Sequence, residues 1–237
     1  MRKQKKILGF DVPVITPFAS TITGVASPKI SLNGNWDFDI KEQPQKGKSI
    51  QVPGEWEMQG YTVNEGQTAV YSKHLDIPAD WKGKQIKIRF DGVSSHGLVK
   101  VNGKTIGEHE GSFVPFEVDL TSALNYKNDV LEVEVQALTV SDRLACTSQY
   151  ACHTVGGLLR KVTLFAVAPV HITSPTINTV FDKEYKNASL VVGSTILNNS
   201  VFPANAQLEF TLFDANGKIV AKKNFGTCQS NRYKRYQ

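Results

Sequence analysis

Cysteine and methionine are scarce in this chain, at three and two among 237 residues. No stretch of roughly eighteen uncharged apolar residues occurs, so no transmembrane helix is expected. Zinc-ligand spacing is missing as well: Cys146, Cys152 and Cys228 stand apart from any suitably placed histidine, and no metal or cofactor is expected. The three thiols read as free, or as a Cys146–Cys152 bridge with Cys228 left over if the protein is exported. Acid is absent from both ends, where Arg2, Lys3, Lys5 and Lys6 lie at one terminus and Arg232, Lys234 and Arg235 at the other. The net charge of +5 therefore belongs to the tails, and the body between them is slightly negative. A phosphate-binding footprint should lie on a folded face or groove, so no nucleic-acid partner is expected.

Helical periodicity is almost absent too, apart from one turn at Thr121 to Leu124. What is present is the two-residue period of half-buried strands. Ile86, Ile88 and Phe90 alternate with Lys87, Arg89 and Asp91, and Leu131, Val133 and Val135 alternate with Glu132 and Glu134. Strands are predicted at 35–40, 49–52, 70–77, 85–91, 97–101, 104–108, 116–119, 130–138 and 158–167. Asn102-Gly103 is a hairpin turn, because both turn positions need φ > 0. The fold class is all-β, a jelly-roll sandwich. Hydrophobic content of 41% and charged content of 21% leave ample material for its core.

A boundary is expected at Pro169 to Pro175, with further strands at 176–181, 188–197, 206–213 and 218–223. These resemble the opening of an immunoglobulin-like sandwich. Such a sandwich takes about seven strands and ~100 residues, against the roughly 65 that remain. The organisation read from the sequence is a leader at 1–28, a jelly roll at 29–172, a partial immunoglobulin-like domain at 173–227 and a basic polar tail at 228–237. The leader reads either as an atypical export signal, with Val25-Ala26-Ser27 as its cleavage site, or as a plain disordered segment. Asp11, Pro13 and Pro17 interrupt the apolar run of ~7–15 residues that a working signal needs.

Several motifs in order resemble the N-terminal sugar-binding domain of family 2 glycoside hydrolases, which include β-galactosidases, β-glucuronidases and β-mannosidases. Leu32-Asn33-Gly34-Asn35-Trp36-Asp37-Phe38 resembles the family's Leu-Asn-Gly-x-Trp-x-Phe opening. Val52-Pro53-Gly54-Glu55-Trp56 with Gly60-Tyr61 is similar to its Val-Pro-x-x-Trp loop. Val101-Asn102-Gly103-Lys104, Phe113-Val114-Pro115-Phe116-Glu117 and Gly156-Gly157-Leu158-Leu159-Arg160-Lys161-Val162 follow in the family's sequence. The resemblance implies a galactose-binding-like jelly roll and then the start of the immunoglobulin-like domain. It also implies an exo-acting, retaining β-glycosidase of carbohydrate metabolism, most similar to β-galactosidase, acting in the periplasm or outside the cell rather than in the cytoplasm.

Retaining glycosidases need two carboxyl groups about 5–5.5 Å apart, and in this family they lie on a later barrel of ~250 residues. The chain has no room for that barrel, so no catalytic residue is assigned. Asn64-Glu65 is an Asn-Glu pair in a sandwich loop and is read as coincidence. His96, His109 and His153 come with no Ser or Cys motif for nucleophilic catalysis. The implied partners are a β-linked sugar and the barrel of the parent enzyme. The loop from Ser141 to Gly157 has the best claim to contact sugar. The family's acidic residue there is missing, and Gln149, Tyr150 and His153 are the hydrogen-bonding candidates, with Asn64 in a second loop. Trp36, Trp56, Trp81, Asn102, Gly103 and Gly157 are read as structural, and Arg160 as a tether for the loop before it. A stand-alone carbohydrate-binding module is the alternative, and a structural domain pairing through an open sheet edge is a third.

Overall fold

The structure is a computed structural model that describes residues 28–44, 47–173, 175–200, 202–230 and 233–236, together with the two-residue strands β1 (Lys6–Ile7) and β2 (Phe10–Asp11), which pair with each other. The leader reading otherwise lies outside the described residues. The jelly roll is built from β3 (Lys29–Ser31), β4 (Gly34–Ile40), β5 (Lys48–Val52), β6 (Ala69–Leu75), β7 (Gln85–Phe90), β8 (His96–Val101), β9 (Lys104–Glu110), β10 (Phe116–Asp119), β11 (Asp129–Gln136) and β12 (Val162–Val167). All pair antiparallel, in a six-stranded sheet of order β5-β4-β6-β11-β8-β9 and a four-stranded sheet of order β10-β7-β12-β3.

Alternation decides which face is buried. Leu131, Val133 and Val135 of β11 are fully buried, and the register sets Val133 against Val99 of β8 on one side and Tyr71 of β6 on the other. In the facing sheet, Ile88 of β7 opposes Leu164 of β12, and Phe90 opposes Val162. Each such aliphatic side chain stabilises the fold by about 1.5–3 kcal/mol relative to full exposure. A one-residue slip would turn the whole set outward, so the register is strongly specified. Trp36, Trp56 and Trp81 all lie in this core. Asn102 and Gly103 make the β8–β9 turn with φ of 52° and 76°.

The sequence reading made the stretch after β11 a plain loop. Instead, it contains two short helices, α1 (Val140–Ala145) and α2 (Thr147–Ala151). Helices of six and five residues are too short to stand on propensity, and both are held by side chains described below.

Beyond the jelly roll come β13 (Val170–Ile172), β14 (Thr176–Phe181), β15 (Ala188–Asn198), β16 (Ala204–Phe213), β17 (Ile219–Ser230) and β18 (Tyr233–Tyr236). β15 is central: β13 and β14 pair with it in succession, and β18 pairs with its C-terminal half. β16 and β17 form a separate hairpin. The chain is thus a jelly-roll sandwich followed by an incomplete immunoglobulin-like one. By composition residues 228–237 are a basic polar tail. β17 nevertheless continues to Ser230, and Tyr233–Tyr236 pairs with Ser194–Leu197. Backbone ladders need no apolar alternation, so the pattern had nothing to report there. Asn199, after β15, donates its side-chain amide to Gln85 Oε1 of β7 at 2.8 Å, linking the two sandwiches.

Candidate functional site

Two loops meet at one end of the jelly roll: residues 53–68 after β5 and residues 137–161 after β11. Their backbones are stapled together, with Gly54 N–H donating to Leu158 O at 2.9 Å and Trp56 N–H to Gly156 O at 3.2 Å. Glycine is required at both closing positions. A Cβ at Gly156 would lie 1.9 Å from Cζ2 of the buried Trp56. Gly157 has φ of 123°, and a Cβ there would lie 2.7 Å from Tyr71 Oη and 3.0 Å from Gly54 O. Gly157 also exchanges backbone hydrogen bonds with Ser94, at 3.0 and 3.1 Å. The Tyr71 phenol beneath is raised in pKa by burial.

Upon this rigid base sit the two helices. Glu110, at the end of β9, accepts the Thr139 hydroxyl and the Ser141 N–H, the latter at 2.9 Å, and so caps α1. Burial pushes its carboxyl upward, but the bonds from Thr139 and Ser141 outweigh that and hold it below its ordinary pKa. Asp142 of α1 is buried and accepts the Ser148 N–H and hydroxyl, each at 3.2 Å, which ties α1 to α2. The Ser148 hydroxyl oxygen in turn accepts Val155 N–H at 2.9 Å. Cys146 and Cys152 bracket α2 in the left-handed region, with φ of 54° and 60°, and both carry free thiols.

Side chains then join this segment to the first loop. The Arg143 guanidinium pairs with Glu65, beside Asn64 in a turn closed by Gln67 N–H on Asn64 O at 3.0 Å. His153 places Nε2 2.7 Å from Glu55 Oε1 and Nδ1 2.9 Å from Ala151 O. The Ala151 carbonyl foremost, with the Glu55 and Glu57 carboxylates, raises the imidazole pKa. Tyr150 is 86% exposed, and Gln149 beside it is exposed too.

The candidates read from sequence are therefore partly gathered. Gln149, Tyr150 and His153 share the α2 segment, and Asn64 joins them at the same end through Glu65 and Arg143. Gln149, Tyr150 and Asn64 present free polar groups to solvent, whereas both ring nitrogens of His153 are engaged. Sequence reasoning assigned no role at this site to Glu55, Glu110, Asp142 or Arg143. A carboxylate two residues into the Val-Pro-Gly-Glu-Trp loop was the single available signal. Arg160, read as a donor into the loop before it, instead lays its stem over Gly92 and its guanidinium 5.9 Å from the Phe113 ring centroid. Trp36 donates its indole N–H to Leu32 O at 2.7 Å. Among the described residues no group of three His, Cys, Asp or Glu side chains is placed to hold a metal ion, and no helix is long and apolar enough to cross a membrane.

Residues 29–168 match the family model of the glycosyl hydrolases family 2 sugar binding domain. The chain belongs to that family. It is 28% identical over 230 residues to a β-galactosidase of Priestia megaterium, an alignment covering 80% of this chain and 22% of that protein. It is 31% identical over 244 residues to a β-glucuronidase of Formosa agariphila, covering 86% of this chain and 24% of that protein. The solved Bacteroides uniformis β-glucuronidase superimposes with a TM-score of 0.70 at 22% identity, over 89% of this chain and 27% of that one. The last likeness shows the fold. The family 2 chain described here thus spans about a quarter of the relatives it matches, and their catalytic domain is not within it.

Proposed function

We propose that this chain is the non-catalytic N-terminal portion of a retaining, β-galactosidase-like family 2 glycosidase that releases terminal β-linked sugars. In this reading it buttresses the catalytic barrel of the parent enzyme and walls one side of the sugar subsite. The observation that carries it is the convergence of the Asn64 turn and the Gln149–Tyr150 segment, joined by Glu65–Arg143 and Glu55–His153, at one end of a family 2 sugar-binding domain. The ligand is then a carbohydrate and not a nucleic acid. An exposed tyrosine ring offers a face for the C–H side of a pyranose, with amide groups beside it for hydroxyls. The basic stretch Arg2–Lys6 and the Val25-Ala26-Ser27 site support action in the periplasm or outside the cell.

The test pairs binding with turnover on the same protein. Methyl β-galactoside, added during NMR observation, should shift resonances of Asn64, Gln149 and Tyr150, and Tyr150→Ala should weaken binding about three- to tenfold. Nitrophenol should be released from its β-galactoside and β-glucuronide no faster than in buffer. Turnover abolished by a glutamate substitution in this chain would overturn the reading. Strong binding with ordinary selectivity for free sugars would favour the self-sufficient carbohydrate-binding module, which the exposure of Tyr150 also suits.

A further inference from the structure

The His153 ring makes two contacts that place a chemical demand on it. Ala151 O is a carbonyl oxygen and Glu55 Oε1 a carboxylate oxygen, and they lie 2.9 and 2.7 Å from Nδ1 and Nε2. Both partners can only accept, and a neutral imidazole has a single N–H. Both bonds therefore exist together only in the imidazolium form. Every charged group facing the ring favours that form: Glu55 and Glu57 come from the first loop. On its own side, Arg143 is turned to Glu65 and Asp142 is buried on Ser148.

We infer that His153 is a protonation-dependent positioning residue: as the imidazolium it ties the C-terminal end of α2 to the Trp56 loop, and losing its proton releases one tie and loosens the Gln149–Tyr150 segment. The two ties are not equivalent. Ala151 lies two residues away, so that bond only shapes the turn after α2, whereas Glu55 is on the other loop. If the remaining N–H sits on Nδ1, the lone pair of Nε2 faces a carboxylate lone pair and the tie from the α2 segment to Glu55 is lost. If it sits on Nε2, the Ala151 carbonyl is left open and the turn after α2 is freed. Either tautomer mobilises the segment that carries Gln149 and Tyr150. The device does not depend on bound sugar, and its first effect is on the empty protein.

The sign follows from the direction of the shift. A histidine whose folded pKa is raised contributes stabilisation that is complete below the unfolded value near ~6.5 and is lost as pH rises through the higher folded value. The segment is therefore held in mildly acidic solution and released toward alkaline pH.

Amide hydrogen exchange of the full 237-residue chain tests this without sugar, so its outcome is separate from that of the sugar-binding reading. The probes are Tyr150 N–H on Cys146 O, Cys152 N–H on Gln149 O and Val155 N–H on the Ser148 hydroxyl. After correction for intrinsic exchange, their protection should fall about three- to tenfold between roughly pH 5.5 and 8.5, while amides of β7 and β12 stay unchanged. The midpoint should coincide with the His153 ring titration followed by NMR. His153→Gln cannot donate from two separated nitrogens and should show low protection at every pH. Glu55→Gln should move both midpoints down together. A wild-type profile that is flat, or that His153→Gln reproduces, overturns the inference.

Discussion

Gly156→Ala is expected to lower folding stability by about 3 kcal/mol or more, the upper end of what overpacking a closed core costs. The added Cβ would lie 1.9 Å from Cζ2 and 2.2 Å from Cη2 of Trp56. Neither side can yield easily. Trp56 is fully buried, and its own backbone N–H is bonded to Gly156 O, so ring and glycine are locked from two directions. Trp56→Ala alone should cost about 3–5 kcal/mol through the cavity it leaves. The double variant separates this clash from a generic effect of alanine on the backbone. With the ring gone, the extra methyl enters empty space, so Trp56→Ala/Gly156→Ala should be no less stable than Trp56→Ala. The coupling should be about 3 kcal/mol in magnitude, where independent sites would show roughly 0.5 or less. Urea denaturation followed by far-UV circular dichroism measures all four corners of the cycle, and additivity would remove the packing argument.

How the site is built explains which parts of it were readable. The jelly-roll strands announce themselves because Ile86, Ile88 and Phe90, or Leu131, Val133 and Val135, recur at the period of the pleat and are all buried. Asn102-Gly103 is equally legible, since the turn's backbone demands are local. The end that carries residues 53–68 and 137–161 obeys no such local rule. α1 and α2 exist because Glu110 and Asp142 satisfy their first turns, and neither residue carries a periodic signal. His153 meets Glu55 across 98 positions, and Arg143 meets Glu65 across 78. Tyr150 and Trp56 show the same limit from the other side. Both are aromatic residues between strands, yet one is exposed and the other sealed under a glycine, a distinction made by the fold around them.

The rim consequently has two tiers with different mechanical properties. Gly156, Gly157, Trp56 and Tyr71 form a base in which glycine, ring and backbone close on one another, leaving no room for a Cβ at either glycine. Above it, Arg143–Glu65 joins two largely exposed side chains, at 65% and 62% exposure. Pairs of that kind contribute about 0–1 kcal/mol. A surface assembled in this way keeps its position while its outer side chains adjust. The same division predicts where substitutions are felt: as stability below, and as binding or loop motion above.

The second large effect is expected far from that rim, at Asp129. Its carboxylate is fully buried at the start of β11, and it is the hub of the opposite end of the sandwich. Oδ1 accepts the Asn102 side-chain amide at 2.7 Å and Asn125 N–H at 2.8 Å, and Oδ2 accepts Tyr126 N–H at 2.8 Å. Asn102 is thereby more than a turn residue. Its amide also donates to Ala123 O at 3.0 Å, and its side-chain oxygen accepts Val130 N–H at 3.0 Å. One carboxylate thus closes the 123–129 connection onto the β8–β9 turn. Asp129→Ala strands two backbone donors and an amide at about 1–3 kcal/mol for each one left dry, so a loss of about 3–5 kcal/mol is expected after partial access of water. Asp129→Asn keeps the shape but offers only one acceptor oxygen, and the amide that replaces the other must face a donor. It should therefore lose nearly as much as alanine, and this outcome discriminates hydrogen-bond satisfaction from simple packing. Asn102→Ala should cost less, because the carboxylate keeps its two backbone donors. Thermal unfolding of the three variants orders them directly. An Asp129→Asn protein as stable as the wild type would show that the charge and its acceptor geometry contribute nothing here.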